Sequence, residues 1–440
     1  MVVPERLAPR LLAIYNEEYA LPLVYDGARA AVVGRVRTDD RYRILRSGQP
    51  VCDAAVEVIT AGIEHKRPER PRPPRPPERA LPEVRDHAAL FRKLVGAANL
   101  GSRDPILRYY DTEVQARMVI RAGDADASVM APIPGSKLGC AMAVAGNPWY
   151  VAADPYLGSQ HAVYEALRNL AAVGARPLAL TDCLNFGNPE DPEVFHDFTR
   201  SVRGLGDAAR AFGPKGIAGP PVPYVSGNVS FYNESSTGRS IEPSPIVAAL
   251  GSMDDYAVAI TWGLKRAGSA IVLTGPRGDR TGASQLRHAL TGETGGELPA
   301  LDLERERIRL YAVMDEVRQG SVLACHDIAR GGVALAAFEM ALAGFSSQGL
   351  GVELRLDGLS PSAPEIRAFG ESPGFLLEVP VEGVESLVAR LRAAGLDTAV
   401  IGTTLSTPRF RMLDGSRTFL DDPMDGLARI HLDAIRPYVE

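Results

Sequence analysis

The chain has 440 residues, of which 45% are apolar and 23% charged, and its formal net charge is −6. This composition is typical of a globular protein with two or three domains, and the negative charge argues against general nucleic-acid binding. No apolar run approaches the ~20 residues of a membrane span, and the N-terminus lacks the apolar core of a signal peptide. The four cysteines are widely spaced, which disfavours a disulfide framework or a metal–thiolate site. We therefore expect a cytoplasmic chain whose partners include neither nucleic acid nor membrane.

The first 65 residues predict a small α+β module. The apolar spacing over 7–19 is helical, and the runs 30–36 and 42–45 are typical of strands around a turn at Asp39–Asp40. A module this short buries little surface alone, so we expect it to pack on a neighbouring structure. Nothing in it indicates chemistry.

A proline- and arginine-rich segment, residues 66–84, follows the first module. Proline fixes φ and removes backbone donors, so the segment is predicted to be an extended, semi-rigid linker. A proline-rich recognition segment or an anion-binding strip is the alternative. A helix is then predicted over 86–97, at the start of a sheet domain that spans 85–260.

Two aspartates lie at the start of the second predicted strand of this sheet domain. Strands are predicted over 114–120 and 125–131, and period-two alternation places Asp124 and Asp126 on one face. Two carboxylates on one face repel unless a cation or a hydrogen-bond donor lies near them. A solvated strand face is the alternative interpretation.

The stretch 158–173 predicts a helix that Ser159 caps and Gly174 ends. Glu165 and Asn169 are four residues apart, so their side chains share one helix face. A carboxylate and an amide oxygen suit Mg²⁺, although such pairs are also common as solvated surface groups.

A strand over 176–181 is predicted to deliver Asp182 at its end. An amphipathic helix follows over 195–212, and Gly204 and Gly206 in it indicate close packing.

The stretch 225–235, VSGNVSFYNES, is predicted to be a polar loop that binds a ligand. Gly227 permits close approach of the backbone, Asn228 offers an oxygen to a hard cation, and Ser230 offers a hydroxyl to a phosphate. An ordinary polar turn between strands is the alternative. The similar polar stretch 181–190 favours the ligand-binding interpretation.

Residues 261–440 predict an α/β domain. A strand over 270–274 leads into the glycine-rich turn 275–284, which resembles a phosphate loop in composition but lacks its GxxxxGK[ST] form. A strand over 321–325 precedes Asp327, a common ligand position in α/β folds, although a simple strand–turn–helix joint is equally compatible. Further elements are predicted in this domain, namely helices over 303–317, 333–343 and 385–394 and a strand over 375–379.

Four motifs in this order resemble one enzyme family. They are DPYLGSQHAVYEALRNLAAVGARPLALTDCLNFGNPEDPE, VSGNVSFYNES, HDIARGG and FGES. They resemble phosphoribosylformylglycinamidine synthase, the amidotransferase of purine biosynthesis in the aminoimidazole ribonucleotide synthetase superfamily. The resemblance covers nearly the whole chain and matches the second half of that enzyme, preceded by the tail of its first half.

The resemblance implies a fold and a reaction. The fold is a two-domain unit: a dimerisation-type sheet domain flanked by helices, then a C-terminal α/β domain, preceded by the small α+β module. In the family reaction, ATP phosphorylates the formamide oxygen of formylglycinamide ribonucleotide, and ammonia displaces the phosphate to give the amidine. Ammonia comes from a glutaminase domain or subunit, and these 440 residues contain no glutaminase nucleophile motif.

Transferred residue by residue, the resemblance implies two sites. In the catalytic site, Asp182 and Gly227 contact ATP, Asn228 binds Mg²⁺ and Ser230 contacts the ribonucleotide. An auxiliary nucleotide site, which holds a structural ADP in large members of the family, has four Mg²⁺ ligands that correspond to Asp126, Glu165, Asn169 and Asp327.

The chain also departs from the family pattern. The family's catalytic histidines lie in the half that is missing here, so the catalytic residues are unknown. In HDIARGG, Ala329 stands where the family has a serine and Arg330 where it has an aspartate, and Phe375 replaces a common arginine.

Three hypotheses follow from the resemblance and its departures. The chain is the second-half subunit of a split synthase that needs a first-half chain and a glutaminase. Alternatively it is a non-catalytic nucleotide-binding scaffold, or a homodimeric small-molecule kinase or synthetase of the same superfamily. Because exposed sheet edges favour association, all three imply a homodimer or a hetero-oligomer.

Overall fold

The structure, a computed structural model, describes residues 1–62, 66–73 and 78–439. The described chain divides into two compact units, Met1–Arg67 and Pro68–Glu440. Its α-helices are α1 Ala8–Ala13, α2 Leu21–Val24, α3 Val56–Ala61, α4 His87–Val95, α5 Asp104–Leu107, α6 Pro148–Ala153, α7 Pro155–Ala172, α8 Pro192–Ala211, α9 Gln285–Thr291, α10 Leu303–Arg318, α11 Gly332–Gln348, α12 Pro364–Phe369, α13 Val384–Ala393, α14 Met424–Asp433 and α15 Arg436–Val439.

The strands form three sheets. A two-stranded sheet pairs β1 Arg41–Arg46 with β2 Gln49–Ala55. A six-stranded sheet contains β3 Met118–Ile120, β4 Ser128–Met130, β5 Gly139–Ala145, β6 Arg176–Asn185, β7 Tyr224–Ser230 and β8 Ser244–Met253. A seven-stranded sheet contains β9 Ala270–Thr274, β10 Ala324–Ile328, β11 Gly351–Arg355, β12 Gly374–Val379, β13 Thr398–Leu405, β14 Arg409–Asp414 and β15 Arg417–Pro423.

The first unit is a small helical and hairpin module. The predicted strand over 42–45 lies within β1, and the chain reverses at Ser47–Gly48 rather than at Asp39–Asp40. The predicted strand over 30–36 is wrong, because this segment pairs with no other described strand and leaves Val33 99% exposed. A valine-rich run without a partner strand gains neither ladder hydrogen bonds nor burial.

The six-stranded sheet has the order β3-β4-β5-β8-β6-β7, and only β6 and β7 are parallel. Side chains along β5 alternate, so that Ala141 and Ala143 are buried while Met142 and Val144 are exposed. Such alternation is typical of a sheet with one covered face. Helix α7 packs on β5 and β8 and covers that face.

Helices α7 and α8 form the layer behind this sheet. Helix α7 begins three residues earlier than predicted, because Asp154 rather than Ser159 accepts the hydrogen bonds of the first turn. Gly174, at φ +80°, follows its end as predicted. A Cβ built on Gly204 would lie 2.2 Å from the carbonyl oxygen of Tyr156, which confirms close packing at that glycine.

The seven-stranded sheet has the order β10-β12-β9-β13-β11-β14-β15, with β11 and β14 parallel and the other pairs antiparallel. Strand β9 has the predicted bounds, and α10, α11, α13 and β12 lie within a few residues of prediction. Sequence patterns missed the strands β11, β13, β14 and β15 and the helix α14. The mixture of layered sheets and helices confirms the α+β and α/β class.

Two apolar cores support the second unit. One joins α7, α8 and the six-stranded sheet to α10, α13 and one face of the seven-stranded sheet. The other lies between the opposite face of that sheet and helices α4 and α11. In the second core, the rings of Phe91 and Phe410 stack with centroids 5.0 Å apart. Since α7 also packs on β10, one helix connects the two larger sheets.

The proline- and arginine-rich linker carries no helix or strand over 66–73 and 78–84. Its proline run at 74–77 lies outside the described residues. Arg72 donates to Asp197 on α8 at 2.6 Å, and Glu78 pairs with the buried Arg287 at 2.6 Å. Among the described residues, no helix combines the length and hydrophobicity that crossing a bilayer requires.

Candidate functional site

The two polar stretches that the sequence singled out meet at one edge of the six-stranded sheet. The first part of each stretch belongs to a strand rather than to the predicted loop, because β6 extends to Asn185 and β7 covers Tyr224–Ser230. Parallel pairing sets Asp182 opposite Gly227. A Cβ built on Gly227 would lie 2.3 Å from Asp182 Oδ1. The pairing therefore requires glycine beside this carboxylate.

The other two residues of this edge lie on β7 and are two positions apart. Asn228 and Ser230 share one face of the strand, opposite to the face of Gly227. The side-chain nitrogen of Asn233 donates to the carbonyl oxygen of Ser230 at 2.8 Å and to its Oγ at 3.1 Å. The end of β7 is therefore held by its own polar side chains, and Asn228 is exposed.

Burial shifts the pKa values of Asp182 and of the neighbouring Tyr224. Burial raises the pKa of the Asp182 carboxyl. Burial, with Asp182 adding to the effect, also raises the pKa of Tyr224, whose hydroxyl has no partner among the described residues. A half-buried carboxylate beside an unpaired hydroxyl leaves hydrogen-bonding capacity for a ligand.

A second polar cluster lies where the sheet domain meets the α/β domain. His326 Nδ1 lies 2.7 Å from Asp126 Oδ1, and its Nε2 lies 3.0 Å from Glu339 Oε2. The backbone N–H of Asp327 donates to Asp126 Oδ2 at 3.1 Å. Asp126 lies in a turn before β4 and has a buried side chain, whereas Asp124 is exposed. Strand β4 covers only Ser128–Met130 of the predicted strand over 125–131, and the predicted shared strand face of the two aspartates is wrong.

Helix α7 contributes the rest of this cluster. Arg168 donates to Asp327 Oδ2 through Nη2 at 2.6 Å and through Nε at 3.1 Å. With its amide nitrogen toward the cluster, Asn169 donates to the same oxygen at 3.2 Å and to the carbonyl oxygen of Glu165 at 3.1 Å. Strand β10 extends to Ile328, so Asp327 lies within the strand and not beyond its end.

Burial and crowding of like charges control the electrostatics of this cluster. Burial raises the pKa of Asp126 to about 6 and also raises the pKa of Glu165. Burial alone would lower the pKa of His326, but Asp126 and Glu339 raise it well above its usual value. Four carboxylates, those of Asp126, Glu165, Asp327 and Glu339, surround Arg168 and His326, so the cluster contains charges of both signs.

Three of the four predicted auxiliary ligands lie together, because Asp126 and Asp327 are adjacent and Asn169 lies beside Asp327. Glu165 lines the cavity next to them. Oxygens of Asp126 and Asp327 lie within 4.8 Å of each other and of a His326 ring nitrogen. Oxygen donors from carboxylates and an amide are the ligands that Mg²⁺ prefers, so the residues present fit this ion. Asn169 would have to turn its amide by half a rotation to offer oxygen instead of nitrogen.

A small cavity of about 20 Å³ lies beside this cluster. Glu165, Arg168, Arg330 and Glu371 line it, and Arg330 donates to the carbonyl oxygen of Gly146 at 2.5 Å. Arg330 thus places a cation in the cavity where the family pattern has an aspartate. Burial raises the pKa of Glu371 to about 7, although the backbone N–H groups of Gly331 and Gln285 donate to its Oε1.

Sequence reasoning missed several members of this cluster. Arg168, Glu339 and Tyr150 carried no signal of their own, because each contacts the cluster from an element that is distant in sequence. Glu371 lies in the FGES motif and Arg168 precedes Asn169 in the long helical motif. These motif neighbours were the available signal for both residues.

Family models match both domains of the second unit. The model for "AIR synthase related protein, N-terminal domain" matches residues 124–253, and that for "AIR synthase related protein, C-terminal domain" matches 266–415. "Phosphoribosylformylglycinamidine synthase subunit PurL" of Methanothrix thermoacetophila is 43% identical over 427 residues, which are 96% of this chain and 54% of that protein. The protein of the same name from Deinococcus radiodurans is 34% identical and covers 90% of this chain and 54% of its own length. The chain thus spans about half the length of these relatives.

Solved structures show the same fold. "T. maritima PurL complexed with ATP" superposes with a TM-score of 0.59 at 20% identity, covering 78% of this chain and 52% of that one. "T. maritima PurL complexed with FGAR" has a TM-score of 0.58 at 19% identity, covering 76% and 52%. A chain of the "HypE-HypF complex" has a TM-score of 0.52 at 15% identity. The match covers 72% of this chain and 97% of that one.

Proposed function

Because the chain belongs to the AIR synthase related family, we propose that it is one half of an ATP-dependent ligase of purine biosynthesis. The ligase converts formylglycinamide ribonucleotide to the amidine, as phosphoribosylformylglycinamidine synthase does. One observation carries the proposal: β6 and β7 bring Asp182, Gly227, Asn228 and Ser230 to one sheet edge. The 43% identity to a synthase subunit over nearly the whole chain supports it.

The proposed chemistry assigns a role to each of these side chains. Asp182 and Gly227 bind ATP, and glycine lets the backbone approach the nucleotide beside the carboxylate. Ser230 holds the ribonucleotide so that its formamide oxygen can attack the γ-phosphorus in line, and ADP leaves. Ammonia then adds to the iminophosphate carbon, phosphate departs, and the amidine remains. Mg²⁺ held by Asn228 would neutralise the triphosphate charge.

We assign the second cluster to an auxiliary Mg²⁺–nucleotide site. Asp126, Glu165, Asn169 and Asp327 would hold the ion, and an ADP bound there would be structural. The adjacent carboxylates of Asp126 and Asp327, with Asn169 beside Asp327, support the assignment. The guanidinium of Arg330 in the adjoining cavity also offers a cation to nucleotide phosphates.

The proposal requires other chains. The described residues of the first site offer no histidine beside Asp182 or Ser230 to move a proton, so we assign the general acid or base to a first-half partner chain. Ammonia would come from a glutaminase subunit.

Titration of the purified chain with Mg-ATP, with and without formylglycinamide ribonucleotide, tests this proposal. Ammonium serves as the nitrogen donor, and both binding and phosphate release are followed. We expect Mg-ATP to bind without turnover, because the chain supplies only part of the site. Asp182→Asn should weaken binding about tenfold, the effect of losing about 1.4 kcal/mol.

Each other outcome selects a different function. Acceptor-dependent phosphate release by the chain alone would overturn the half-site proposal and favour a self-sufficient homodimeric kinase or synthetase. Absence of Mg-ATP binding would leave only a scaffold. Asp124→Asn is the matched control, because Asp124 is an exposed aspartate outside both clusters and should leave binding unchanged.

A further inference from the structure

A second cavity, of about 330 Å³, lies on the seven-stranded sheet, where β9 ends and β13 begins. We name it the Arg277 cavity, after the arginine in its wall. Leu273, Leu359 and Leu396 provide apolar surface, and Arg277, Arg392 and Asp397 provide charge. A cavity of this size, apolar with a few converging polar groups, is typical of small-ligand sites.

Arg277 is placed in this wall by the glycine-rich turn that resembled a phosphate loop only in composition. A Cβ on Gly275 would lie 2.8 Å from Arg277 Nη2, and one on Gly374 would lie 3.2 Å from it. Both glycines therefore leave space that the guanidinium fills. Their positions explain the turn's composition through side-chain packing.

The guanidinium lacks the partners that an enclosed cation needs. Its Nε and Nη2 are fully shielded and have no hydrogen-bond partner among the described residues. Burial and the neighbouring Arg309 lower the pKa of Arg277 to about 9, which leaves it charged at pH 7. A shielded, unpaired donor is costly. A turn of the guanidinium toward the cavity would let an oxyanion there accept its hydrogen bonds.

The remaining charges favour an anion over a cation. Arg392 is held against the wall because its Nε and Nη2 donate to the carbonyl oxygen of Thr398 at 3.2 and 2.9 Å. Asp397, the carboxylate of the lining, already pairs with Arg305 at 3.0 Å. The wall therefore presents two guanidinium groups against one neutralised carboxylate.

We propose that the Arg277 cavity binds the phosphate group of a small phosphate monoester. The guanidinium fork of Arg277 matches a phosphate geometrically, and Arg392 adds a second positive charge. The cavity exceeds the volume of a bare oxyanion, so the organic part of the ester occupies the space beside the three leucines. The site is separate from the sheet edge at Asp182 and does not depend on the proposed ligase activity.

Calorimetric titration of the whole chain at constant ionic strength tests the assignment. Ribose 5-phosphate, inorganic phosphate and ribose are the three probes. We expect ribose 5-phosphate to bind, inorganic phosphate to bind more weakly and ribose not to bind. Arg277→Met should weaken the binding of ribose 5-phosphate at least tenfold, because methionine removes the charge-assisted hydrogen bonds to the phosphate.

Three variants distinguish a loss of binding in the Arg277 cavity from a folding defect and from binding at the proposed nucleotide site. Ala399→Glu places a carboxylate in the wall of the cavity and should also weaken the binding of ribose 5-phosphate at least tenfold. The midpoint temperature of thermal unfolding should stay that of the parent chain. Arg266→Met, an exposed arginine paired with Glu382, should bind like the parent chain, as should Asp182→Asn.

Several results would overturn the proposal. One is a failure of ribose 5-phosphate to bind to the parent chain at millimolar concentration. Another is ribose 5-phosphate binding that is undiminished in a folded Arg277→Met variant. If Arg277→Met does not fold, undiminished binding by Ala399→Glu would overturn the proposal in the same way. Equal affinity for inorganic phosphate would refute the monoester assignment. Loss of binding in Asp182→Asn alone would place the ligand at the sheet edge.

Discussion

At the edge of the six-stranded sheet, the proposed nucleotide site depends on contacts between single residues. Asp182 and Gly227 are 45 positions apart in the sequence, and parallel pairing makes them direct neighbours. Any larger residue at position 227 would meet the Asp182 carboxylate, since a Cβ there would lie 2.3 Å from Oδ1. This glycine therefore controls where the carboxylate points.

Gly227→Ala should displace the Asp182 side chain and weaken Mg-ATP binding about tenfold, if the displaced contact contributes about 1.4 kcal/mol. Calorimetric titration measures the dissociation constant. Gly426→Ala is the control, because no atom lies within 4 Å of a Cβ built there. Unchanged affinity in Gly227→Ala would show that Asp182 does not act through this contact.

Glu371 makes folding stability depend on pH. Burial raises its pKa from 4.5 to about 7, so between these values the folded chain keeps a proton that the unfolded chain releases. This group therefore stabilises the fold fully below pH 4.5, and its contribution is lost as the pH rises through 7. Between pH 5 and 8 the loss is about 2.5 kcal/mol.

Glu371→Gln should remove this pH dependence. The free energy of unfolding of the parent chain, measured with urea, should fall relative to the variant as the pH rises from 5 to 8. Glu385→Gln, an exposed position on α13, should keep the parent's profile. If the free energy of unfolding depends on pH in the same way in the parent and in Glu371→Gln, Glu371 does not hold the proton.

At the scale of elements, α7 connects the two larger sheets of the second unit. Its outer turns pack on α8, and its Arg168 forms the ion pair with Asp327 of β10. Gly204 on α8 allows the two helices to approach, because its Cα lies against the carbonyl of Tyr156. The position of the second polar cluster thus depends on a helix contact.

Gly204→Ala and Gly206→Ala should have opposite effects on stability. A Cβ at 204 would lie 2.2 Å from a backbone oxygen, so α7 and α8 must separate at a cost of about 1–3 kcal/mol. A Cβ at 206 meets only the flexible end of Arg210 at 3.7 Å, so alanine should stabilise α8 by up to about 1 kcal/mol. Urea denaturation of both variants measures the difference, and equal effects would exclude close packing at 204.

At the scale of the whole molecule, the six-stranded sheet leaves an apolar surface uncovered by described residues. We name it the open face and define it by Met142 and Val144 on β5 and their neighbours Leu250 and Ala248 on β8. Met142 is 53% and Val144 60% exposed. Contiguous exposed apolar surface on a sheet marks an association site.

We expect the isolated chain to self-associate through the open face. Light scattering after size exclusion should give twice the 47.1 kDa chain mass. Met142→Lys with Val144→Lys should give a single chain mass, because two charges oppose burial of this surface. Val400→Lys, at an equally exposed strand position of the other sheet, should stay dimeric. A monomeric parent chain would leave the open face to a different partner.

The sequence alone determined features that depend on local chemistry. Helix α7 and its terminating glycine, strand β9, the α+β and α/β class and the family motifs were predictable, because caps, periodicity and short motifs are properties of neighbouring residues. Eight residues of the two candidate sites were named from the family motifs, while Arg168 and Glu339 were missed. The strands missed in the α/β domain depend on pairing between distant segments, as β11 with β14 shows.

Only the tertiary structure decided which of these residues meet. Asp182 and Asn228 lie in strands rather than in the predicted loops. The side chain of Asp126 is buried, whereas Asp124 is exposed. Arg168 forms an ion pair with Asp327, which is distant in sequence. The fold also encloses Arg277, whose unpaired guanidinium has no sequence signature. The physical reason is that burial and charge pairing are set by residues far apart in the chain, and local patterns carry no information about them.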